Sequence, residues 1–526
     1  MRRRLALLGA VVVALVVVAA FAWSAKPASS TPGGGAGQVA TVTSVTRSCP
    51  PAAPGAGTTT RVSMIAVPSQ AASAKGSAAA SAGSATLSAV PAASVPPAAI
   101  KPANGKPTAN STPAANSTPA DKTPLSDKTA PADKTAPVKS PPAAPVTVSE
   151  PGTATTVTAP SAGDAGTALS ATGQMAEGFE AEQATSAGMG LVSCSHPSSD
   201  MWFVGAGAPD VQLYLMNTGA LAANVNVNIL TDTGQQNGLA NAITVAPDQV
   251  IEENIAPYVR GAQAVAMEVQ TSSGQIAASV WESDGKGSGA WVPQSAEPST
   301  TLVIPGLTVA SSAARLFVTV PGQADAHVKV VAYTPAGSFQ QFSDVPVQAS
   351  AGATTPVTLS SLGASAAGLE LTSNVPIVAG VLVAGSGIGS FTTAVAPVTE
   401  QGVVAGNPAS AGLTVGLLLT APSAAGTASV SVISADGTVT SPAGLQNVSV
   451  ASGRTLALTV PRPPGRQPFS IVLTPGAGSG PLYAARVVTS GSGGLAAPLV
   501  SLLPVPSALT QITLPGVQNS YTAVLP

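Results

Sequence analysis

Beyond Cys194 the apolar residues alternate with small or polar residues over six to ten positions, and Gly, Pro, Asn-Thr-Gly or Asp-Gly interrupts each run. This alternation is typical of half-buried β-strands that are separated by turns. No stretch after residue 200 keeps a 3.6-residue apolar period. The pattern therefore predicts an all-β protein with little room for helices.

The strand pattern occurs three times at a spacing of about 100 residues. The matching segments are Leu213-Tyr-Leu-Met-Asn-Thr-Gly219, Leu316-Phe-Val-Thr-Val-Pro-Gly322 and Leu417-Leu-Leu-Thr-Ala-Pro422. About six or seven strands per copy, with frequent turns, favour tandem immunoglobulin-like β-sandwiches. We expect three of them, at residues 174–300, 301–400 and 401–526, the last with a C-terminal strand. A β-propeller is the alternative, because blades of about 40 to 50 residues would give two blades per copy and six in all.

The N-terminal residues 1–24 predict export. Three arginines precede an apolar stretch from Leu5 to Trp23, and Ala20 and Ala22 form a small-residue motif before Trp23. A cleaved signal peptide accounts for that motif. An uncleaved membrane anchor accounts for the length, since this stretch would span about 28 Å as a helix. Under both readings we expect the remaining chain on the extracellular side of the membrane, anchored or secreted.

Export makes the two cysteines informative. Cys49 and Cys194 are the only two in the chain, and an even number in an oxidising compartment favours one disulfide. Two free thiols are the alternative. Residues 25–68 are expected to form a short tether and an N-terminal strand that carries Cys49. Residues 69–173 are rich in Ala, Ser, Pro and Thr, a composition that predicts a disordered segment.

Composition narrows the range of functions. Charged residues make up 8% of the chain, and it has two histidines and two cysteines, too few for a metal cluster or a multi-histidine site. A net charge of −2 offers no basic surface for nucleic acid. We therefore expect no metal, no cofactor and no nucleic-acid partner.

The catalytic motifs lead to the same expectation. The chain contains no GxSxG and no HExxH sequence, the patterns of α/β-hydrolases and zinc peptidases. The carboxylates Glu177, Glu180 and Glu182 are interpreted as solvated charges, and the acids at Glu282 and Asp284 are too few for a calcium loop. We expect a protein that is not an enzyme. A hydrolase with an unrecognised site stays as a remote alternative that a serine-reactive probe would test.

The rare aromatic residues are the candidate binding residues. Trp202, Trp281 and Trp291 lie in or beside the first copy. An exposed tryptophan can stack on the face of a sugar, so these three residues are possible glycan-stacking positions. Burial in a sandwich core is the more common fate of such residues.

Several segments resemble a known family. They are Ser48-Cys49-Pro50, Met175-Ala-Glu-Gly178, Ser193-Cys194-Ser-His-Pro-Ser-Ser-Asp-Met-Trp-Phe-Val-Gly205 and the strand that begins at Leu213. The sequence resembles an actinobacterial exported family known only as a domain of unknown function (5719), over most of residues 40–520. This resemblance implies export and a Cys49–Cys194 pair. It transfers no catalytic residue, and the Ala/Ser/Pro insert departs from the family pattern.

These observations together predict a non-enzymatic protein of the cell envelope. Tandem sandwiches supply stiff spacing and loop ends for contact with an envelope protein or a glycan. We expect a structural, binding or adhesion module attached to or released from the membrane through its N-terminal segment. The alternative is a carbohydrate- or peptidoglycan-binding protein that uses the tryptophans of the first copy.

Overall fold

The computed structural model describes most of the chain beyond residue 37. The described residues are 38–54, 60–68, 83–93, 144–160, 163–185, 190–236, 239, 242–308, 314–342, 345–359, 362, 366–385 and 387–514. The predicted signal or anchor and most of the predicted disordered segment lie outside them. The described residues form two compact units, a body over Val42–Thr510 and a unit made of the chain ends.

The end unit is a two-stranded antiparallel ribbon. It pairs β1 (Gln38–Thr41) with β37 (Gln511–Leu514). The predicted C-terminal strand is thus present. Val39, Ile512 and Leu514 are exposed on it.

The body consists of four repeats, each built as two layers of strands that we label A and B. In chain order each repeat has one strand in A, one in B, two or three in A, one in B and one in A, and then returns to B; the second repeat adds one more strand to A. The prediction from the sequence was three repeats. The fourth lies at the N-terminus, in a region that the sequence predicted to be a tether and a disordered segment.

The first repeat contains eight strands in two sheets. The predicted N-terminal strand that carries Cys49 is one of them. Layer 1A has the order β2-β7-β4-β5 and layer 1B the order β6-β3-β8-β9. The strands are β2 (Ser44–Cys49), β3 (Thr60–Ile65), β4 (Ala85–Val90), β5 (Val146–Val148), β6 (Thr155–Thr158), β7 (Gly166–Thr172), β8 (Glu180–Thr185) and β9 (Val192–Ser193). The prediction that residues 69–173 are disordered throughout was therefore wrong for β4 to β7, because apolar residues such as Leu87 and Leu169 pack in the core of this repeat.

The second repeat follows directly. Layer 2A has the order β13-β12-β16-β10-β19, with β14 beside β12, and layer 2B has the order β15-β11-β17-β18. The strands are β10 (Asp200–Gly205), β11 (Asp210–Asn217), β12 (Ala223–Thr231), β13 (Gly234–Gln236), β14 (Ile243–Val245), β15 (Gln249–Asn254), β16 (Val265–Ser273), β17 (Ala277–Ser283), β18 (Gly289–Val292) and β19 (Gln294–Ser295).

The third repeat is one eight-stranded sheet that the long strand β26 divides into two layers. The first part of β26 pairs with β20 and β22 in layer 3A, and from Val378 onward it pairs with β21 and β27 in layer 3B. The strands are β20 (Ser299–Leu307), β21 (Ala314–Thr319), β22 (Ala326–Thr334), β23 (Gly337–Gln341), β24 (Val347–Ala349), β25 (Thr354–Leu359), β26 (Ala367–Val383) and β27 (Ser390–Thr393).

The fourth repeat completes the body. Layer 4A has the order β28-β34-β30-β31, with β32 beside β30, and layer 4B has the order β33-β29-β35-β36. The strands are β28 (Gly402–Asn407), β29 (Leu413–Ala421), β30 (Gly426–Ile433), β31 (Val439–Thr440), β32 (Val448–Val450), β33 (Arg454–Thr459), β34 (Phe469–Pro475), β35 (Tyr483–Ser490) and β36 (Leu499–Pro504). The helical elements of the described residues are 3-10 turns at Gly173–Met175 and Gly494–Ala496.

The layers pack face to face in a closed circuit. Within each repeat, A packs on B around an apolar core. Between repeats, 1A packs on 2B, 2A on 3B, 3A on 4B, and 4A on 1B. The side chains that carry these contacts include Val90 and Met216, Trp202 and Phe317, Leu302 and Leu418, and Ile65 and Val403.

This circuit explains why the strands are rich in small and apolar residues. A layer that is covered on both faces needs nearly continuous small and apolar residues, and every residue of β17, Ala-Ala-Ser-Val-Trp-Glu-Ser, is buried. The prediction of an all-β fold is confirmed. Separate immunoglobulin-like sandwiches are not confirmed, because neighbouring repeats cover the outer faces. The circuit shares face-to-face sheet packing with a β-propeller, but its strands alternate between two layers.

Candidate functional site

A cavity of about 730 Å³ lies where the four repeats meet. Its wall is built mainly from the segments that connect one repeat to the next, at residues 192–196, 291–299 and 395–397, and from the segment that ends the fourth repeat, within 503–507. Each repeat contributes at least one side chain to it. The site therefore exists only because the circuit is closed.

Prolines shape these connecting segments. Those that border the cavity are Pro293, Pro298, Pro397, Pro504 and Pro506. Proline fixes φ and removes a backbone N–H, so it ends a strand and stiffens the connection. The cavity wall consequently has no backbone N–H donor at these five positions.

A disulfide fixes the start of the first connection. Cys49 and Cys194 are bonded, with a Cα–Cα distance of 4.3 Å, as the sequence predicted. Ser48 and Ser195 also exchange backbone hydrogen bonds of 2.7 and 2.9 Å. Cys194 borders the cavity, so the disulfide ties the cavity wall to β2, the edge strand of layer 1A that carries Cys49.

An ion pair lies at the edge of the cavity. Arg47 of β2 donates from Nη2 to Oε1 of Glu180 at 2.7 Å and from Nε to Oε2 at 3.4 Å. It also donates to the carbonyl of Phe179 at 3.3 Å. Glu180 is almost fully buried. The charge of Arg47 is thus already compensated within the protein.

Two more titratable residues border the cavity. Burial, and secondly the charge of Arg47, lower the pKa of His196 below its ordinary value. His196 is therefore neutral at neutral pH, although its ring is accessible from the cavity. Glu297 is exposed to the cavity and has no hydrogen bond or ion pair with the described part of the chain. These observations leave Glu297 as a free carboxylate in the wall.

Aromatic side chains form the apolar part of the wall. Phe203, Trp291 and Tyr483 border the cavity. Burial, and secondly the charge of Glu370, raise the pKa of the Tyr483 phenol, so this ring stays neutral. Trp291 also makes an edge-to-face contact with Trp281, with 5.1 Å between the ring centroids.

The three tryptophans do not form the exposed glycan platform that the sequence left open. Trp202, Trp281 and Trp291 are 2%, 6% and 4% exposed. Trp202 packs against Phe317 between layers 2A and 3B, and the other two pack between layers 1A and 2B. The second face of each layer is covered by a neighbouring repeat, and this covering removes the rings from solvent. Of the three, Trp291 borders the cavity.

The carboxylates at the start of β8 were predicted to be solvated, and this was wrong. Glu177, Glu180 and Glu182 are 3%, 4% and 5% exposed. Glu180 pairs with Arg47, and Glu182 pairs with Arg486 at 3.2 Å. Their burial follows from the position of β8 between layers 1A and 4A.

Glu282 is also buried rather than part of a calcium loop. Its Oε2 accepts a hydrogen bond from the amide of Ala206 at 3.1 Å, and its Oε1 has no partner in the described residues. Burial raises the pKa of Glu282 to about 7, although nearby backbone amides oppose the shift. Asp284 instead faces solvent and accepts the amides of Lys286 and Ser288 within its turn.

Sequence reasoning missed Arg47, Arg486 and the connecting segments. A single charge inside an apolar strand, as in Ala484-Ala485-Arg486-Val487-Val488, was the available signal, because an unpaired charge is not retained in a core. Across the described residues, no three His, Cys, Asp or Glu side chains are placed to hold a metal ion. Nor does that part of the chain contain a helix long and apolar enough to cross a membrane.

Comparison with known proteins gives one match. The model of a family of unknown function, DUF5719, matches residues 129–461. This range begins before β5 and ends just after β33, so it includes the cavity segments at 192–196, 291–299 and 395–397. No curated protein and no solved structure matches the chain.

Proposed function

The chain belongs to this family of unknown function, and we propose from its geometry that it is a non-enzymatic, exported protein of the cell envelope that binds a ligand in the cavity between its four repeats. The observation that carries the proposal is that all four repeats contribute to the wall of one cavity. A volume of about 730 Å³ falls within the usual range for ligand sites, about 300 to 1,000 Å³. The closed circuit serves as the rigid frame of this site.

Preorganisation supports a binding role. Three connections between repeats, each held at both ends by sheets and one tied by the Cys49–Cys194 disulfide, lose little conformational freedom when a ligand enters. The wall also combines apolar rings with a few polar groups, the usual composition of a ligand site.

The placement outside the cell rests on two observations. The first 24 residues have the form of an export signal or anchor, and the buried disulfide suits an oxidising compartment. A non-enzymatic role is supported by His196, since no side-chain hydrogen bond joins it to a serine or carboxylate among the described residues. A nucleophile activated by a histidine would need such a contact.

A glycan is a second candidate ligand. Tyr483 is half-buried and borders the cavity, and an aromatic face can hold a sugar. The carbohydrate alternative based on the tryptophans is not supported, because Trp202, Trp281 and Trp291 are buried, so a glycan would have to bind in the central cavity beside Tyr483. The unknown envelope protein as partner would reach the same cavity through a peptide end or side chain.

The test fills the cavity with a side chain. Ala396 is exposed to the cavity in the connection between the third and fourth repeats, so Ala396→Trp occupies it without disturbing a core. Ala336→Trp, in the exposed turn after β22, is the matched control. The purified proteins are incubated with size-fractionated envelope extract and washed, and bound compounds are measured by native mass spectrometry.

The proposal expects retention of the same compound by the wild type and Ala336→Trp and its loss from Ala396→Trp. Thermal unfolding of the three proteins checks that the substitutions leave the fold intact. Retention that Ala396→Trp leaves unchanged, or no retention by the wild type, contradicts a binding role for the cavity.

A further inference from the structure

We infer that the cavity selects a ligand that carries a positively charged ammonium group. This inference rests on the proposed binding function and names the chemical class of its ligand. Three features of the wall carry it: one uncompensated carboxylate, five proline positions without a backbone donor, and the neutral aromatic ring of Tyr483.

The charges that border the cavity are Arg47, Glu180, His196 and Glu297. Arg47 and Glu180 neutralise each other through two hydrogen bonds. His196 is neutral at neutral pH, for the reasons given above. Glu297 therefore leaves the wall with an uncompensated negative charge, and a cation is the complementary ligand group.

The hydrogen-bonding capacity of the wall points the same way. Five prolines border the cavity, so the wall has no backbone N–H at these positions, and the carbonyl of one of them, Pro506, accepts the amide of Val403 at 3.3 Å. An ammonium group has three donors and no acceptor, so it matches such a wall. A carboxylate or phosphate would find Arg47 already occupied by Glu180 and Phe179.

An aromatic face provides the third feature. Tyr483 is half-buried and borders the cavity, and its raised pKa keeps it a neutral phenol. The face of a neutral phenol attracts a cation through the negative potential of the ring. Glu370 lies close enough to affect this phenol, which makes the surrounding potential more negative.

The experiment compares a positively charged ligand with two neutral ones. The probes are lysyl-alanine amide, its diacetylated neutral form and chitotriose as a neutral glycan. Binding to the full exported chain is measured by ligand-observed NMR and calorimetry at about pH 7.5, where an ordinary histidine is neutral. The protein variants are Glu297→Gln, Ala396→Trp and, as an exposed carboxylate outside the cavity, Glu150→Gln.

The inference expects binding of the charged dipeptide, with the diacetylated form weaker by about tenfold, the factor that 1.4 kcal/mol represents. Glu297→Gln should weaken the charged probe by about two- to fivefold, the range for a partly exposed ion pair. Ala396→Trp should abolish binding, and Glu150→Gln should leave it unchanged.

Three results overturn the inference. Equal binding of the charged and diacetylated dipeptides removes the charge preference. Binding that Glu150→Gln weakens as much as Glu297→Gln shows adsorption to the acidic surface. Chitotriose as the only bound probe makes the ligand neutral and leaves the proposed binding function intact. If no probe binds, the ammonium class is wrong, and the retention experiment with Ala396→Trp still decides the binding function independently.

Discussion

Arg486 of the last repeat donates a hydrogen bond from Nη1 to Oε2 of Glu182 in the first repeat, at 3.2 Å. The backbone of Gly406 lies between them, with its amide donating to the same Oε2 and its carbonyl accepting from the same Nη1. Arg486 is fully buried, and its Nε and Nη2 have no partner in the described residues. The contact between the first and last repeats therefore contains a buried ion pair, in which each side chain supplies the only counter-charge in hydrogen-bonding distance of the other.

Breaking this pair from one side should be costly. Arg486→Met leaves the Glu182 carboxylate buried without a counter-charge, and such changes cost about 3 to 5 kcal/mol. In the double variant Glu182→Gln with Arg486→Met, the amide oxygen still accepts from Gly406 while no charge is left buried. Urea unfolding should show the single variant to be less stable than the double variant. If the double variant is as unstable as the single one, the charge pair is not the cause.

Glycines at the layer contacts test the circuit itself. A Cβ on Gly380 of layer 3B would lie 2.8 Å from the backbone oxygen of Val204 in layer 2A. Gly380→Ala should therefore destabilise the body by about 1 to 3 kcal/mol through overpacking. Gly322→Ala, where no atom lies within 4 Å of the added Cβ, should change stability little. Equal midpoints of urea unfolding for these two variants would mean that the layers do not touch as described.

The strands and their repetition were predictable from sequence, but the circuit was not. Alternating apolar residues and a period near 100 residues identified three repeats, because both signals are local in the chain. The first repeat escaped this comparison since β4 and β5, which are neighbours in layer 1A, are separated by residues 91–145. Its strands therefore no longer match the period of the others.

The site was even less accessible from sequence. Glu182 and Arg486 are 304 positions apart, so no spacing rule connects them. Alternating Glu180 and Glu182 resemble the polar face of an exposed strand, and only the covering layer makes them buried. The cavity consists of short connections from all four repeats, and its existence depends on how the last repeat meets the first.

The disulfide should protect the first repeat and resist reduction in the native state. Cys49 and Cys194 are 0% and 3% exposed and close a loop with a sequence separation of 145. In the chain-entropy account such a cross-link is worth up to about 5 kcal/mol. The double variant Cys49→Ala with Cys194→Ala should therefore unfold at lower urea concentration.

Accessibility of the disulfide gives a second readout for that prediction. With dithiothreitol alone, maleimide labelling followed by mass spectrometry should show little modification, and in denaturing urea it should show two labels. Rapid labelling of the folded wild type would contradict the burial of this bond.

The stability of the body should fall as the pH rises through the range in which Glu282 resists ionisation. The pKa of Glu282 is about 7 in the folded protein, against an ordinary value of 4.5. Below pH 4.5 the carboxyl is protonated in both the folded and the unfolded state, so it does not change the free energy of unfolding. Between the two values the unfolded chain loses the proton while the folded protein keeps it, so the free energy of unfolding decreases with pH. Above about 7 the loss is complete and amounts to about 3 kcal/mol.

Glu282→Gln isolates this contribution, because the amide cannot ionise and fits the same buried position beside Ala206. Urea unfolding across the pH range should show the wild type losing stability relative to Glu282→Gln between these two pKa values. Glu182, whose pKa burial also raises, titrates in both proteins and cancels in the difference. The exposed control Glu150→Gln should follow the wild type. A Glu282→Gln curve parallel to the wild type would show that this buried carboxyl does not carry the pH dependence.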